Sequence, residues 1–250
     1  MEVEKDLINI CEKVASKLVL IPRGNETKDN EINFDTRLIF PSYQNDRKKV
    51  RISEQESRIL FCQEADIYKK YYYAIEVPTA SKYSFTGSIQ KDENGQSARS
   101  DLSLFCQTSN SDNRTFEQIV NVEFKAHNAN ISHIMKDLLK LVAEPAHGLF
   151  FHTLHTINSG TLVNDGECDG IIDKYKKIKE YEDKFMEPTA GGSKFILFAI
   201  CIIEKKILLL KTFHKNKFDS IDDFFSINRA KVCGAEIPET NKGWTQIRLK

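Results

Sequence analysis

The chain has 250 residues, 40% of them apolar, with only 11 Gly and 6 Pro, a composition that excludes a disordered or collagenous chain and can fill a core. Lys plus Arg equals 36 and so does Asp plus Glu, so a surface basic all over is excluded and any attraction for phosphate must come from local patches.

Residues 1–20 place Val3, Leu7, Ile10, Cys11, Val14 and Leu18 at helical spacing, which predicts an opening amphipathic helix. The polar stretch 22–34 reads as a loop, and TRLIFPSY at 36–43 as a short strand stopped by Pro41. Ser53 opens a helix through SEQESRILFCQEADIYKK, with Ser53 and Glu56 at capping-box spacing. Aromatic and β-branched residues at 71–78 predict a strand ended by Pro78, and 82–89 alternates as its partner. Strands follow at 101–108 and 116–126. Next comes a helix with Ile131, Ile134, Met135, Leu138, Leu139 and Val142 on one stripe, stopped near Pro145. GLFFHTLHTI at 148–157 is nearly continuous in its apolar residues, the pattern of a strand buried on both faces. A charged helix at 171–187, two apolar strands within 195–213 hinged at Glu204-Lys205-Lys206, and a short helix within DSIDDFFSI complete the reading. No repeat is visible, and a mixed sheet with helices on its faces is the economical architecture.

The chemistry concentrates at Asp101 and at Glu123-Phe124-Lys125. Alternate residues of a strand share a face, so Glu123 and Lys125 point the same way, and a neighbouring strand carrying Asp101 brings a second acid beside them. Charges on a sheet otherwise lined by Leu, Val and Phe carry a desolvation cost that a divalent cation offsets, held by two carboxylates and a carbonyl oxygen. The lysine then sits where an attacking water or a developing phosphorane charge would be. E-x-K recurs at 26–28, 182–184 and 204–206. The first of these lies in the polar loop, the second in the charged helix, where i and i+2 diverge, and the third on a hairpin bend. Only 123–125 has an Asp-led strand upstream and an amphipathic helix downstream.

Helix, three strands, helix and strand, with an acid on the second strand and E-x-K on the third, resembles the PD-(D/E)XK nuclease superfamily from about residue 53 to 157. The resemblance implies an α/β, restriction-endonuclease-like three-layer sandwich, a central mixed β-sheet flanked by helices. Residues 1–250 would be one nuclease-like domain: 1–50 an N-terminal helical extension, 53–157 the catalytic core, and 158–250 C-terminal helix and strand additions. It implies a Mg²⁺ (or Mn²⁺) site on Asp101 and Glu123, with Lys125 assisting the water nucleophile. Glu56 in SEQESRILF matches the helical glutamate that often helps to hold metal, with Glu54 as the second choice. His127 lies two residues past the lysine, where some members carry a glutamine near the scissile phosphate. Ser100, before Asp101, stands where many members have proline.

His133 and Lys136, one turn apart on the helix after the E-x-K strand, are candidates to face phosphate. His152 and His155 resemble a metal pair, but residues three apart on a strand face opposite sides, so a core or rim role is expected. Asp165 to Asp169 imitates the opening of a calcium loop, yet Lys176 stands where a bidentate Glu is needed. The lysines at 174–179 alternate with acids and read as a solvated helix face. Tyr71-Tyr72-Tyr73 reads as strand packing rather than a base-stacking platform. The longest apolar run has nine residues, short of the about 20 that span a bilayer. The start MEVEKDLIN lacks a signal-peptide core, and six scattered cysteines without a C-x-x-C pair read as reduced residues of a cytoplasmic protein. The function expected is metal-dependent hydrolysis of DNA phosphodiesters, with RNA as the other substrate class and a homodimer or accessory protein as partner. The alternatives are a non-catalytic nucleic-acid-binding or assembly module of the same fold, and a Zn²⁺ hydrolase centred on His152 and His155.

Overall fold

In a computed structural model of the chain, residues 2–23, 37–46, 49–84, 90–110, 113–157, 161–162, 170–181, 194–215 and 243–250 are described. Eight strands form one sheet in the order β2-β1-β3-β4-β5-β6-β7-β8. Strands β1 (Tyr71–Ser84), β3 (Gln96–Asn110) and β4 (Asn113–Ala126) run antiparallel, with β2 (Gln90–Lys91) at the edge. Helix α3 (Ile131–Ala143) then crosses to β5 (His147–Leu154), which lies parallel to β4 and to β6 (Phe195–Ile202). The antiparallel strands β7 (Ile207–His214) and β8 (Thr245–Arg248) close the far side. The class is therefore α/β with a central mixed sheet.

The two faces of the sheet bury separate cores. Leu102, Leu104, Val122, Phe124, Phe151 and Leu197 pack against α1 (Glu2–Leu20) and α2 (Glu54–Ile67). Phe150, Phe198, Ile200 and Leu209 pack against α3 and α4 (Ile171–Lys176). Strict alternation along β5 explains the split: Leu149 and Phe151 serve one core, Phe150 and His152 the other face, and every residue from Gly148 to Leu154 is buried. Lys17 of α1 lies 2.7 Å from Glu64 of α2, and Asp6 accepts from Tyr71 Oη at 2.6 Å, so polar contacts at its rim fix α1 over β1 and α2.

Several elements differ from expectation for identifiable reasons. Residues 36–43 form no strand among those described, only bridges from Arg23 to Phe40 and from Ser42 to Val50. The strand expected at 71–78 runs on through Pro78 to Ser84 as one strand, β1, and residues 85–89 of its expected partner lie outside the described residues. The proline lies at a register irregularity near the sheet edge, where a missing N–H is tolerated. Strand β3 starts five residues before Asp101, so that acid stands mid-strand. The charged helix is α4 followed by a 3₁₀ turn at Lys177–Tyr181, and its continuation lies outside the described residues, as do the helix expected at DSIDDFFSI and the calcium-loop imitation at 165–169. Among the described residues no helix is long and apolar enough to cross a membrane.

Phe124 anchors the first core, edge-on to Phe61 with ring centroids 5.8 Å apart and itself fully buried. Phe124→Ala should lower unfolding free energy by about 3–5 kcal/mol in urea titrations, as expected for deleting a buried aromatic ring.

Candidate active site

Strands β3 and β4 pair from Asn110↔Asn113 to Leu102↔Val122, and beyond that they part. The N–H of Phe124, past the last rung of that ladder, is taken instead by the Asp101 carboxylate, with Oδ2 accepting at 2.8 Å. The carbonyl of Arg99 on the parting strand accepts from the Lys140 ammonium at 2.7 Å. Side chains thus satisfy backbone groups that the sheet no longer pairs, as buried polar groups require. The opening brings Asp101 beside the Glu123-Phe124-Lys125 tripeptide.

Helix α3 covers this opening. Asp137 and Lys140 were not foreseen from the sequence, although they lie on one helical turn and both are buried among apolar neighbours. The ammonium of Lys140 stands 2.7 Å from Glu123 Oε1 and 2.9 Å from Asp137 Oδ1. Asp137 Oδ2 lies 2.5 Å from Lys125 Nζ, which also donates to the Phe124 carbonyl at 2.9 Å. Asp137 therefore bridges the two lysines. Burial, Asp137 and Asp101 together push the Glu123 carboxyl well above the usual carboxylate range despite Lys140. Asp137 opposes its own burial with two ammonium neighbours, and its carboxyl is held low. The Lys125 and Lys140 ammonium groups are held charged, since their acidic neighbours outweigh desolvation.

The helical glutamate is corrected. Glu56 Oε2 accepts from the Ser53 backbone N–H at 3.0 Å and from its hydroxyl at 2.5 Å, so Glu56 is tied back into the capping box that starts α2. Glu54 is the α2 acid at the cluster, with Oε1 3.6 Å from Lys125 Nζ; burial, partly offset by that lysine, raises its carboxyl. One turn along, Arg58 binds Asp101 Oδ1 at 3.0 Å and Glu76 at 3.2 Å. Glu76 adopts φ +55°, a strained conformation for a side chain other than glycine, on the stretch of β1 beside Asp101.

The histidines serve mainly to hold backbone. His127 adopts φ +58°, and its ring Nε2–H donates to the Ile52 carbonyl at 2.7 Å, which ties the end of β4 to the start of α2 rather than leaving the ring turned toward a substrate. His152 donates through Nε2 to the His127 carbonyl at 2.6 Å, and its Nδ1 accepts from Tyr175 Oη at 2.7 Å. Both ring nitrogens are used, so His152 is a core residue. His155 lies on the rim, with Nε2 3.3 Å from Glu204. His133 is exposed and Lys136 half-buried, and their spacing from Asp137 and Lys140 places all four on one stripe of α3.

Asp101, Glu123 and the Phe124 carbonyl offer oxygen donors alone, the chemistry that suits Mg²⁺ or Mn²⁺. Buried Glu123 Oε1 faces the Lys140 ammonium at 2.7 Å. On donor chemistry the fit is good. Among the described residues, however, no three His, Cys, Asp or Glu side chains group around one point, because the lysine ammonium groups stand between the acids. Comparison with family models, curated proteins and solved structures returned no match.

Burial lowers the His152 pKa to about 3, so the folded protein keeps this ring neutral where an unfolded chain protonates it. Its contribution is complete above the unfolded value near 6.5 and is lost as pH falls toward the folded one. The stability gap between wild type and His152→Gln, read from urea melts, should narrow by about 1.4 kcal/mol per pH unit below about 6.5.

Proposed function

We propose that the chain is a metal-dependent nuclease that hydrolyses DNA phosphodiester bonds, with a restriction-endonuclease-like core. The observation that carries the reading is the bond from the Phe124 N–H to the Asp101 carboxylate, which sets an acid of one strand beside the E-x-K of the next. The chain order around it also supports the reading: a helix, three long antiparallel strands with the two-residue β2 among them, a crossover helix and a parallel strand.

Asp101, Glu123 and the Phe124 carbonyl would hold Mg²⁺ or Mn²⁺, with Glu54 in place of Glu56 as the helical acid. When bound, the ion would supply positive charge to the phosphate and lower the pKa of a water. Arg58 fixes the direction of the Asp101 carboxylate, and Asp137 holds the Lys125 ammonium at the Phe124 carbonyl. Lys125 neutralises charge that grows on the phosphate oxygens as water attacks phosphorus and the P–O bond to the leaving oxygen breaks. His133 and Lys136 continue the α3 stripe outward from Asp137 and are the residues to contact flanking phosphates of the DNA.

A second reading, a non-catalytic nucleic-acid-binding or assembly module of the same fold, is favoured by one observation. Asp101, Glu123 and Asp137 already face Arg58, Lys140 and Lys125, an arrangement that is complete as a structural ion network.

Cleavage of plasmid and single-stranded DNA in Mg²⁺ or Mn²⁺, with single-stranded RNA alongside, separates the two readings. Lys125→Ala, Asp101→Asn and Glu54→Gln should each lose cleavage by a factor on the order of 10² or more. Glu56→Gln should keep it while costing about 1 kcal/mol of stability from the weakened cap. Circular dichroism melts of the same preparations exclude unfolding as the cause. No cleavage of any substrate by wild type, with folded protein and either metal, would favour the module.

A further inference from the structure

The best-formed cation seat in the cluster already holds a cation that belongs to the chain. The Lys140 ammonium meets three oxygens: Glu123 Oε1 at 2.7 Å, Asp137 Oδ1 at 2.9 Å and the Arg99 carbonyl at 2.7 Å. Glu123, Asp137 and Lys140 are 1%, 6% and 4% exposed, so water cannot stand in for any of the charges. Two buried carboxylates this close need a cation, and an ammonium is the most compact one a protein has. The seat is built wholly of oxygens, the donor type of a hard divalent ion.

We propose that Lys140 is a tethered counter-cation that occupies the Glu123 carboxylate in the metal-free protein and competes with the divalent ion for it. The proposal rests on the reading of this cluster as a metal site and adds how that site is regulated. Two features separate Lys140 from an ordinary fixed ion pair. Its ammonium is shared among Glu123, Asp137 and the Arg99 carbonyl, so two of its three oxygen contacts remain when another cation takes Glu123 Oε1. Asp137, which bridges both lysines, can retain the displaced ammonium without leaving it unpaired. Lys125 differs, because it faces Phe124 O, Asp137 and Glu54 and makes no ion pair or hydrogen bond with Glu123. Competition for Glu123 makes metal binding weaker than the acids alone would give, so the site loads only where the ion is concentrated or where substrate phosphate adds ligands of its own. The lysine also protects the fold in the metal-free state, since it neutralises carboxylates that would otherwise repel one another.

The test measures Mn²⁺ affinity by calorimetry and by the electron paramagnetic resonance of free Mn²⁺, with no substrate present. Lys140→Met should bind Mn²⁺ about tenfold or more tightly than wild type, the size of a typical coupling between two ligands of one site. Lys125→Met removes the same charge from the same cluster but not from Glu123, and should tighten binding less. If Lys140→Met does not fold on its own, Lys140→Met with Asp137→Asn removes one buried cation and one buried anion together and is compared with Asp137→Asn alone. Equal tightening by Lys125→Met and Lys140→Met would overturn direct competition, as would wild-type or weaker affinity in Lys140→Met. Either result leaves the nuclease reading standing provided wild type binds Mn²⁺. Absence of Mn²⁺ binding in wild type and in every variant would overturn both.

Discussion

The parting of β3 and β4 beyond Leu102↔Val122 is the constraint on which the cluster depends. A paired ladder would bond the Phe124 N–H and the Arg99 carbonyl to each other's strands and leave no room for a charged group between them. Once the strands separate, each of these backbone groups needs a partner, and the partners are Asp101 and Lys140. Satisfying the backbone therefore draws one acid and one base into the interior. The first half of β3 meanwhile follows β1 and packs over α3, where Glu144 accepts from the N–H groups of Ala80 and Ser81 and from Tyr83 Oη.

The charges gathered there balance locally. Arg58 matches Asp101, Lys140 matches Glu123, and Asp137 joins Lys140 to Lys125, while Glu54 stands at the outer side of Lys125. In a low dielectric such a set is stable only when complete, because loss of one member leaves a buried charge without a partner. The elements that supply the members are held by apolar packing on both faces of the sheet. Phe61 and Phe124 lock α2 to β4, and the apolar stripe of α3 locks Asp137 and Lys140 above β4 and β5. Strained backbone at Glu76 and at His127 flanks the cluster on two sides, and each is held by its neighbours: Glu76 by Arg58, and His127 by Ile52, Thr153 and His152.

Much of this was legible in the residues. The stripe of α3, the cap at Ser53, the continuous apolar run of β5 and the β6–β7 hairpin each carry a local signal, a period or a capping residue, that a one-dimensional reading can detect. Strand alternation put Glu123 and Lys125 on one face, and the place of Asp101 beside them followed only if its strand is their neighbour. For Glu56 the sequence carries two competing readings, a cap and a reach toward the sheet, and the side chain takes the first. A capping box uses up the Glu side chain at N3, and that local demand outranks a reach toward the sheet. Pro78 reads as a stop in the sequence, and only the sheet edge and its irregular register reveal why β1 runs through it.

What the sequence determined by itself is the class and the ingredients: an α/β chain, two helices ahead of an antiparallel meander, a crossover helix, and a strand carrying Glu123 and Lys125. These depend on neighbours within a few residues, which spacing records. The tertiary structure alone decided which charges meet. Asp137 and Lys140 read as the polar side of an amphipathic helix until α3 is laid across the opening between β3 and β4. Glu54 and Glu56 differ only in which one the helix start consumes. Pairings between residues tens of positions apart depend on where strands part and which helix covers the gap, and the one-dimensional pattern of charges holds no record of either.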